Sequence, residues 1–132
     1  MREILFRGKR IDKWNKGEWA TGTVEFFEDN VLIHINNDNP YAWHKALVDP
    51  DTVGQYTGLK DKNGKRIFEG DIWTYLGYNG VVRWSQEDCA FAAEYTVGGI
   101  EYECAVTEAK AKKFEIIGNI HDNPELIGGN DG

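Results

Sequence analysis

Short apolar runs separated by glycine-containing turns dominate this sequence and favour a fold built of short strands. Asn63-Gly64, Asn79-Gly80 and Gly98-Gly99 are dipeptides that suit tight turns, because two-residue hairpin loops need positive φ values. Glycine accounts for 15 of the 132 residues and recurs between the apolar runs. The pattern predicts several hairpins and little helix.

In the first half of the chain, two apolar runs around a three-residue polar break predict a β-hairpin. Residues 18–27 form the first run, with Val24 and Phe26 on one face, and residues 31–35 form the second. Residues 4–6 predict a short strand that residues 7–10 close. Residues 41–48 suit either a strand or one irregular helical turn.

In the second half, the Asn79-Gly80 dipeptide predicts a two-residue turn that places Tyr75 opposite Trp84. With that pairing, one sheet face carries Trp73, Tyr75, Val82 and Trp84. Further strands are predicted over residues 91–97, 100–106 and 114–120. Thr107 is expected to cap a short helix over residues 108–113, a run of good helix formers.

These elements indicate a mainly β protein, or a β-dominated α+β protein, with short N-terminal strands and a hairpin followed by a small SH3-like β-barrel. A chain of 132 residues fits one domain or two small subdomains that share a core. The turn at residues 61–65 is the expected boundary. It gives an N-terminal β-rich part at 1–60, a barrel-like part at 61–127 and a disordered tail at 128–132.

Charge and composition narrow the classes of partner and the expected location. A formal charge of -7 disfavours nucleic acid, because nucleic-acid affinity comes largely from neutralising phosphates. No membrane binding is expected, since no apolar stretch approaches a membrane span in length. The chain does not open on a signal peptide, so a cytoplasmic location is expected. Cys89 and Cys104 lack the spacing of a zinc site and are expected to be reduced thiols, with a disulfide as the alternative.

No sequence pattern indicates catalysis. The motifs of phosphate-binding loops, nucleophile elbows and zinc proteases are not found, and His34, His44 and His121 are not spaced as a local metal pair. Asp51, Glu108 and Lys110 meet only the loosest form of a metal-dependent nuclease pattern. We therefore expect a non-enzymatic protein without cofactor or metal, and a metal-dependent hydrolase is the least favoured alternative.

Aromatic and basic side chains are the candidates for a binding surface or interface. Trp73, Tyr75 and Trp84 suit stacking on bases if their sheet face is open, with Arg83 as a nearby cation, although a packed core or subunit interface is the simpler interpretation. Trp43 and His44 form a second candidate pair, for which a half-buried structural histidine is again the simpler interpretation.

Three blocks of sequence, in their order and spacing, resemble a known family. They are REILFRGK at residues 2–9, VGQYTGLKDKNGKRIFEGDI at 53–72 and IGNIHDNPEL at 117–126. The chain resembles the YopX family, whose members are encoded by bacteriophages and prophages. The resemblance implies a β-rich fold with an N-terminal part and a barrel-like C-terminal part, together with self-association. It implies no catalytic residues.

The predicted function combines both lines of reasoning. We expect a phage or prophage accessory protein that binds a host or phage protein and assembles as a homo-oligomer in the cytoplasm of the bacterial host. The alternative is a small barrel that binds single-stranded nucleic acid through its aromatic face and through Arg83 with the lysine-rich turn at residues 60–66, so that Trp84→Ala or Arg83→Ala would weaken binding.

Overall fold

Antiparallel strands make up most of the described chain, which comprises residues 3–35 and 45–128 of the computed structural model. The chain divides into two units, Met1–Tyr56 and Thr57–Gly132. The mainly β class is confirmed. The predicted division at residues 60 and 61 stays a prediction, and the predicted tail lies outside the described residues except for Gly128.

Unit 1 is an antiparallel ladder of alternating apolar and polar residues. Its elements are β1 (Phe6–Lys9), β2 (Trp19–Phe27), β3 (Asn30–Ile35), β4 (Lys45–Val48), a 3₁₀ turn (Pro50–Thr52) and the start of β5 (Gly54–Lys60). The strands lie in the order β4-β3-β2-β1-β5. Its core consists of Ala20, Val31, Ile33, Ala46 and Val48.

The predicted N-terminal hairpin is confirmed. Val24 lies opposite Ile33 and Phe26 lies opposite Val31 across β2 and β3. The first strand is displaced from residues 4–6, since β1 begins at Phe6 and includes the Arg7-Gly8-Lys9 segment predicted to close it. β1 pairs with β2 on one side and with β5 on the other, so ladder hydrogen bonds on both sides outweigh its polar composition.

Unit 2 contains the rest of β5, six further strands and two short helices. These are β6 (Arg66–Phe68), β7 (Asp71–Tyr75), β8 (Tyr78–Ser85), β9 (Ala90–Val97), β10 (Ile100–Ala105), α1 (Glu108–Ala111), β11 (Glu115–Asn119) and α2 (Glu125–Gly128). β6 is the neighbour of β5, and the other five strands form an antiparallel sheet in the order β10-β9-β8-β7-β11. The core of the unit is formed by Ile67, Trp73, Val82, Ala93, Ala111, Phe114 and Ile116.

The SH3-like barrel is not confirmed, because the five-stranded sheet is open. β10 and β11 lie at opposite edges, and no pairing joins them within residues 45–128. Between them the chain carries Ala111 and Phe114 into the core of one sheet face, which brings β11 to the far edge beside β7. A run of hairpins gives the same sequence pattern in an open sheet and in a closed barrel, because closure depends on strand tilt and stagger.

The turn predicted at Asn79-Gly80 is wrong in position. Tyr75 pairs with Tyr78, so the two-residue loop is Leu76-Gly77, with φ values of 51° and 84°. Both loop residues therefore have the positive φ of a type I′ turn. Asn79 and Gly80 continue into β8 instead. Trp84 lies opposite Phe91 in β9, and its predicted pairing with Tyr75 is also wrong.

The other local predictions for unit 2 agree with the structure. Gly98-Gly99 joins β9 to β10, and both glycines have positive φ. The Thr107 hydroxyl caps α1 by accepting a hydrogen bond from the N–H of Lys110 at 3.2 Å. Cys89 and Cys104 are both free thiols. In the described parts of the chain, no helix combines the length and apolar character needed to cross a membrane.

The buried carboxylate of Asp61 holds the turn at residues 61–65. Its Oδ1 accepts hydrogen bonds from the N–H groups of Asn63 and Lys65, each at 2.9 Å, and its Oδ2 accepts one from Ile116, also at 2.9 Å. Burial alone raises the pKa of Asp61, but these three donors, led by Ile116, outweigh burial and hold the pKa below its ordinary value. An ionised Asp61 therefore joins the turn to a strand 55 residues further along the chain.

We expect Asp61→Ala to lower the free energy of unfolding by about 3 kcal/mol, because buried N–H donors lose a charged acceptor. Asp61→Asn keeps one acceptor oxygen for some of the three N–H donors, so it is expected to lower the free energy of unfolding by less than Asp61→Ala does. Urea unfolding at pH 7, followed by tryptophan fluorescence, measures both. Equal stability of Asp61→Ala and the wild type would contradict this role.

The advantage of the wild type over Asp61→Asn is also expected to depend on pH. A lowered pKa in the folded state gives stability that is fully present above the unfolded-state pKa, about 3.9. That stability is lost as the pH falls through the folded-state value. The difference in unfolding free energy should therefore narrow as the pH falls below about 4, whereas a constant difference would exclude Asp61 as its source.

Candidate functional site

Directly opposite residues form one row across the sheet of unit 2. Tyr102 lies opposite Tyr95, Tyr95 opposite Gly80, Gly80 opposite Trp73, and Trp73 opposite Ile116. Directly opposite residues in an antiparallel sheet point to the same face. The row therefore runs from β10 to β11, and Gly80 leaves a gap in the middle of it.

The gap at Gly80 is filled by the indole ring of Trp73. A Cβ atom at Gly80 would collide with the carbonyl oxygen of Glu94 and with the Trp73 ring. Phe114 stacks on that ring, with centroids 4.6 Å apart and planes at 16°, and Tyr95 meets it edge-on at 5.7 Å. Trp73 is only 3% exposed, so it is a core residue that supports the surface above it.

A groove of about 490 Å³ lies over this floor, and we call it the aromatic groove. Its lining residues are Trp73, Tyr75, Leu76, Tyr78, Tyr95, Val97, Tyr102, Cys104, Lys110, Lys113 and Phe114. Tyr95 and Tyr102 stack with centroids 5.4 Å apart and planes at 18°. The groove thus exposes several flat aromatic surfaces on one side of the sheet.

The charge of the aromatic groove is opposite to that of the whole chain. Lys110 and Lys113 line it, and no carboxylate does. Neither lysine forms an ion pair within residues 3–35 and 45–128, whereas their neighbour Lys112 pairs with Glu108 at 3.4 Å. The groove is therefore mainly apolar with two cations at its margin, on a chain of net charge -7.

A second groove of about 630 Å³ is lined both by residues that alternate with the row and by Gly80, Tyr95 and Tyr102 of the row itself, and we call it the acidic groove. It is lined by Glu94, Glu101 and Glu103, together with Arg83. Arg83 Nε lies 2.9 Å from Glu94 Oε2. Arg83 was the cation predicted to contact nucleic acid, and its charge is therefore already neutralised by Glu94. The other glutamates of the groove would repel phosphate.

Trp84 and Arg83 do not form a joint surface. They are consecutive in β8, and consecutive side chains of a strand point to opposite faces. Trp84 is 45% exposed, meets Phe91 edge-on at 5.2 Å, and donates a hydrogen bond from Nε1 to Gln86 Oε1 at 3.1 Å. Trp84 is therefore an exposed side chain that packs against the half-buried Phe91, outside the lining of the aromatic groove.

The remaining predicted site residues separate into two groups. Tyr75 lines the aromatic groove and packs edge-on against Phe114 at 6.3 Å. Trp43 and His44 lie outside the described residues. The binding role of all six candidates stays a prediction. Of the four that lie in the described parts of the chain, Trp73 and Tyr75 come together at the aromatic groove.

The sequence reasoning missed Leu76, Tyr78, Tyr95 and Tyr102 as site residues. Tyr95 and Tyr102 are mirror positions about the Gly98-Gly99 turn, and that turn was a sufficient signal to place them opposite each other. Leu76 and Tyr78 depend on the position of the preceding turn. Because the turn was predicted at Asn79-Gly80 and lies at Leu76-Gly77, neither residue was predicted to lie at the site.

The residues of the loose nuclease pattern are spread over both units. Asp51 lies in the 3₁₀ turn of unit 1, and Glu108 and Lys110 lie in α1 of unit 2. Among the residues that the structure describes, no group of three or more His, Cys, Asp or Glu side chains is placed to hold a metal ion.

Comparisons with known proteins give a family and a similar fold. The family model described as YopX protein matches residues 6–128. The crystal structure of protein EF1440 from Enterococcus faecalis is similar, with a TM-score of 0.50 and 24% identity over 96% of this chain and 99% of that chain. At this identity the similarity concerns the fold alone. No curated protein matches the chain.

We expect Gly80→Ala to destabilise unit 2 by about 2 kcal/mol or more, because the new methyl group overlaps the Trp73 ring and a backbone oxygen. Gly77→Ala is the matched control. Its φ is 84° but a Cβ meets nothing within 4 Å, so only backbone strain of about 1 kcal/mol applies. Thermal and urea unfolding compare the two, and an equal cost would exclude the packing role of Gly80.

Proposed function

Since this chain belongs to the YopX family, we propose that it is a non-enzymatic accessory protein that binds a protein partner through the aromatic groove of unit 2. The proposed setting is the cytoplasm of a bacterial cell that carries a phage or prophage. The resemblance of the three sequence blocks supports that setting.

The observation that carries the proposal is the conformation of Leu76. This residue has a φ of 51° and is 76% exposed. A leucine in the left-handed region is strained, and its side chain gains nothing from burial at this exposure. Asparagine or glycine fits the position better. A residue that is unfavourable both in backbone and in solvation, at the margin of a groove, indicates a role in binding.

The rest of the groove has the composition of a protein-binding surface. Tyr78 and Tyr102 are exposed beside Leu76 and join it in the lining. Aromatic side chains are enriched in the centres of protein interfaces, where they supply large contact areas at small entropic cost. A partner that covers these side chains would bury apolar surface now in contact with water.

Binding rather than catalysis is supported by the ionisable groups of the lining. They are two lysines, Cys104 and the tyrosine hydroxyls. Histidine and carboxylates, the side chains that most often act as general bases, do not line the groove. The ion pair of Arg83 with Glu94 favours a protein partner over single-stranded nucleic acid.

We expect Leu76→Asn to separate stability from binding. Asparagine relieves the backbone strain, so unfolding should require about 0.5–1 kcal/mol more free energy. Capture of the partner from bacterial lysate should fall, because the groove loses its most exposed apolar side chain. Urea unfolding and quantitative mass spectrometry of the captured proteins measure the two effects.

Nuclease treatment of the lysate and a second variant complete this test. Tyr78→Ser removes a groove aromatic, and Trp84→Ala removes an exposed aromatic outside the groove as the matched control. Capture that survives nuclease and falls with Leu76→Asn and Tyr78→Ser supports the proposal. Capture that disappears with nuclease, or depends on Trp84 alone, contradicts it and favours nucleic acid.

Self-association is proposed as a second property, and exposed aromatics of unit 1 support it. Trp14, Phe26 and Phe27 are large apolar side chains on the surface. We expect native mass spectrometry to find an oligomer at micromolar concentration, and Phe26→Ser with Phe27→Ser to shift the population toward monomer. A wild-type protein that is monomeric at all concentrations would contradict this property.

A further inference from the structure

We propose that the partner of the aromatic groove is an extended peptide segment that adds a strand to the free edge of β10 and alternates basic with apolar side chains. This inference rests on the proposed function and specifies the chemistry of the partner. It is supported by the backbone, the two side-chain faces and the charges of β10.

β10 is an open edge of the sheet. In the described chain it pairs with β9 alone and occupies one end of the strand order. All six of its residues are exposed except the half-buried Cys104. A strand edge of this length presents unpaired N–H and C=O groups that another chain can complete.

The register identifies which backbone groups point outward. The N–H of Val106 donates to the carbonyl oxygen of Phe91 at 3.0 Å, so these two residues form a hydrogen-bonded pair. Such pairs alternate along an antiparallel ladder. Tyr102 and Cys104 therefore bond inward to β9, and the N–H and C=O groups of Glu101, Glu103 and Ala105 point away from the sheet.

The two faces of β10 lead into the two grooves. Tyr102 and Cys104 line the aromatic groove, and Glu101 and Glu103 line the acidic groove, which Tyr102 also borders. A strand added beside β10 continues both faces, because its side chains alternate with the same period of two. Every second side chain of the partner then lies beside the aromatic groove, and the intervening ones lie beside the glutamates.

The charges on β10 specify a basic partner. Glu103 lies directly opposite Glu94, and like charges in that position destabilise a sheet. Arg83 pairs with Glu94, whereas Glu101 and Glu103 form no ion pair within residues 3–35 and 45–128. Lysine or arginine side chains of an added strand would supply the missing cations.

The same charges disfavour a second copy of the chain at this edge. In a two-fold antiparallel pairing, the outward-bonding residues of β10 face outward-bonding residues of the other copy. A two-fold axis at Glu101, Tyr102 or Glu103 then always places a glutamate opposite a glutamate. Charged edges of this kind are a common means by which proteins prevent self-pairing of strands.

Labelled synthetic peptides test the proposal directly. The probe is acetyl-Lys-Val-Lys-Tyr-Lys-Val-Lys-amide, and its charge-reversed form carries glutamate in place of each lysine. Fluorescence anisotropy should show binding of the lysine peptide at least about tenfold tighter than that of the glutamate peptide. A third peptide, with the lysines grouped at one end, tests whether alternation is required and should also bind more weakly.

A charge exchange in the protein provides the matched control. The double variant Glu101→Lys with Glu103→Lys should reverse the preference and select the glutamate peptide. Hydrogen exchange should show added protection at the N–H groups of Glu101, Glu103 and Ala105 when the lysine peptide binds, since Tyr102 and Cys104 are already bonded to β9. If the preference does not reverse, or if protection does not increase at these three residues, the proposal is wrong.

Proline substitution separates this inference from the function on which it rests. Glu103→Pro removes an outward N–H that β9 does not use, so the sheet remains intact while strand addition is blocked. Peptide binding should fall at least about tenfold. If the partner captured from lysate is lost with Leu76→Asn but retained with Glu103→Pro, the groove function stands and strand addition at β10 is excluded.

Discussion

The carboxylate of Asp61 is the interaction on which the candidate site depends. It joins the turn at residues 61–65 to Ile116, and the neighbouring N–H of Lys62 donates to the carbonyl oxygen of Phe114 at 3.0 Å. These bonds set the position of Phe114, which stacks on Trp73 beneath the aromatic groove. The floor of the groove is therefore positioned by a polar contact that lies outside its lining. A buried carboxylate with several N–H donors is a favourable arrangement for this purpose, because its hydrogen bonds are charge-assisted.

The prediction for β7 and β8 placed the right side chains on one face with the wrong register. Tyr75 was predicted opposite Trp84 but lies opposite Tyr78, a displacement of six residues along β8. An even displacement preserves the alternation of faces, whereas an odd one would have turned every side chain over. The common face of Trp73, Tyr75 and Val82 was thus recoverable from the period of two. The loop that brings Leu76 to the groove could not be predicted in the same way, because Asn79-Gly80 is by composition the stronger turn signal.

Local chemistry accounts for what the sequence predicted, and distant contacts account for what it did not. The Thr107 cap, the Gly98-Gly99 turn and the Asp61–Lys65 turn all involve residues within a few positions of one another. The open sheet follows from the placement of β11 beside β7, a pairing with no sequence signature. The same holds for the ion pair between Arg83 and Glu94. The charges of the acidic groove could therefore not be predicted without the pairing of β8 with β9.

Several departures from locally favourable structure in unit 2 lie at the aromatic groove and on β10, although the positive φ of Cys89 lies outside both. Leu76 has a positive φ, Glu103 lies opposite Glu94, and the buried Nε1 of Trp73 has no hydrogen-bond partner within the described residues. Asp61, by contrast, has both carboxylate oxygens satisfied. Sequences that specify a single fold are consistent at every level except where function opposes stability. Two of these conflicts lie at the aromatic groove, at Trp73 in β7 and in the turn after it, and the third lies on the edge strand β10. Together they support the proposal that the groove and this edge bind a partner.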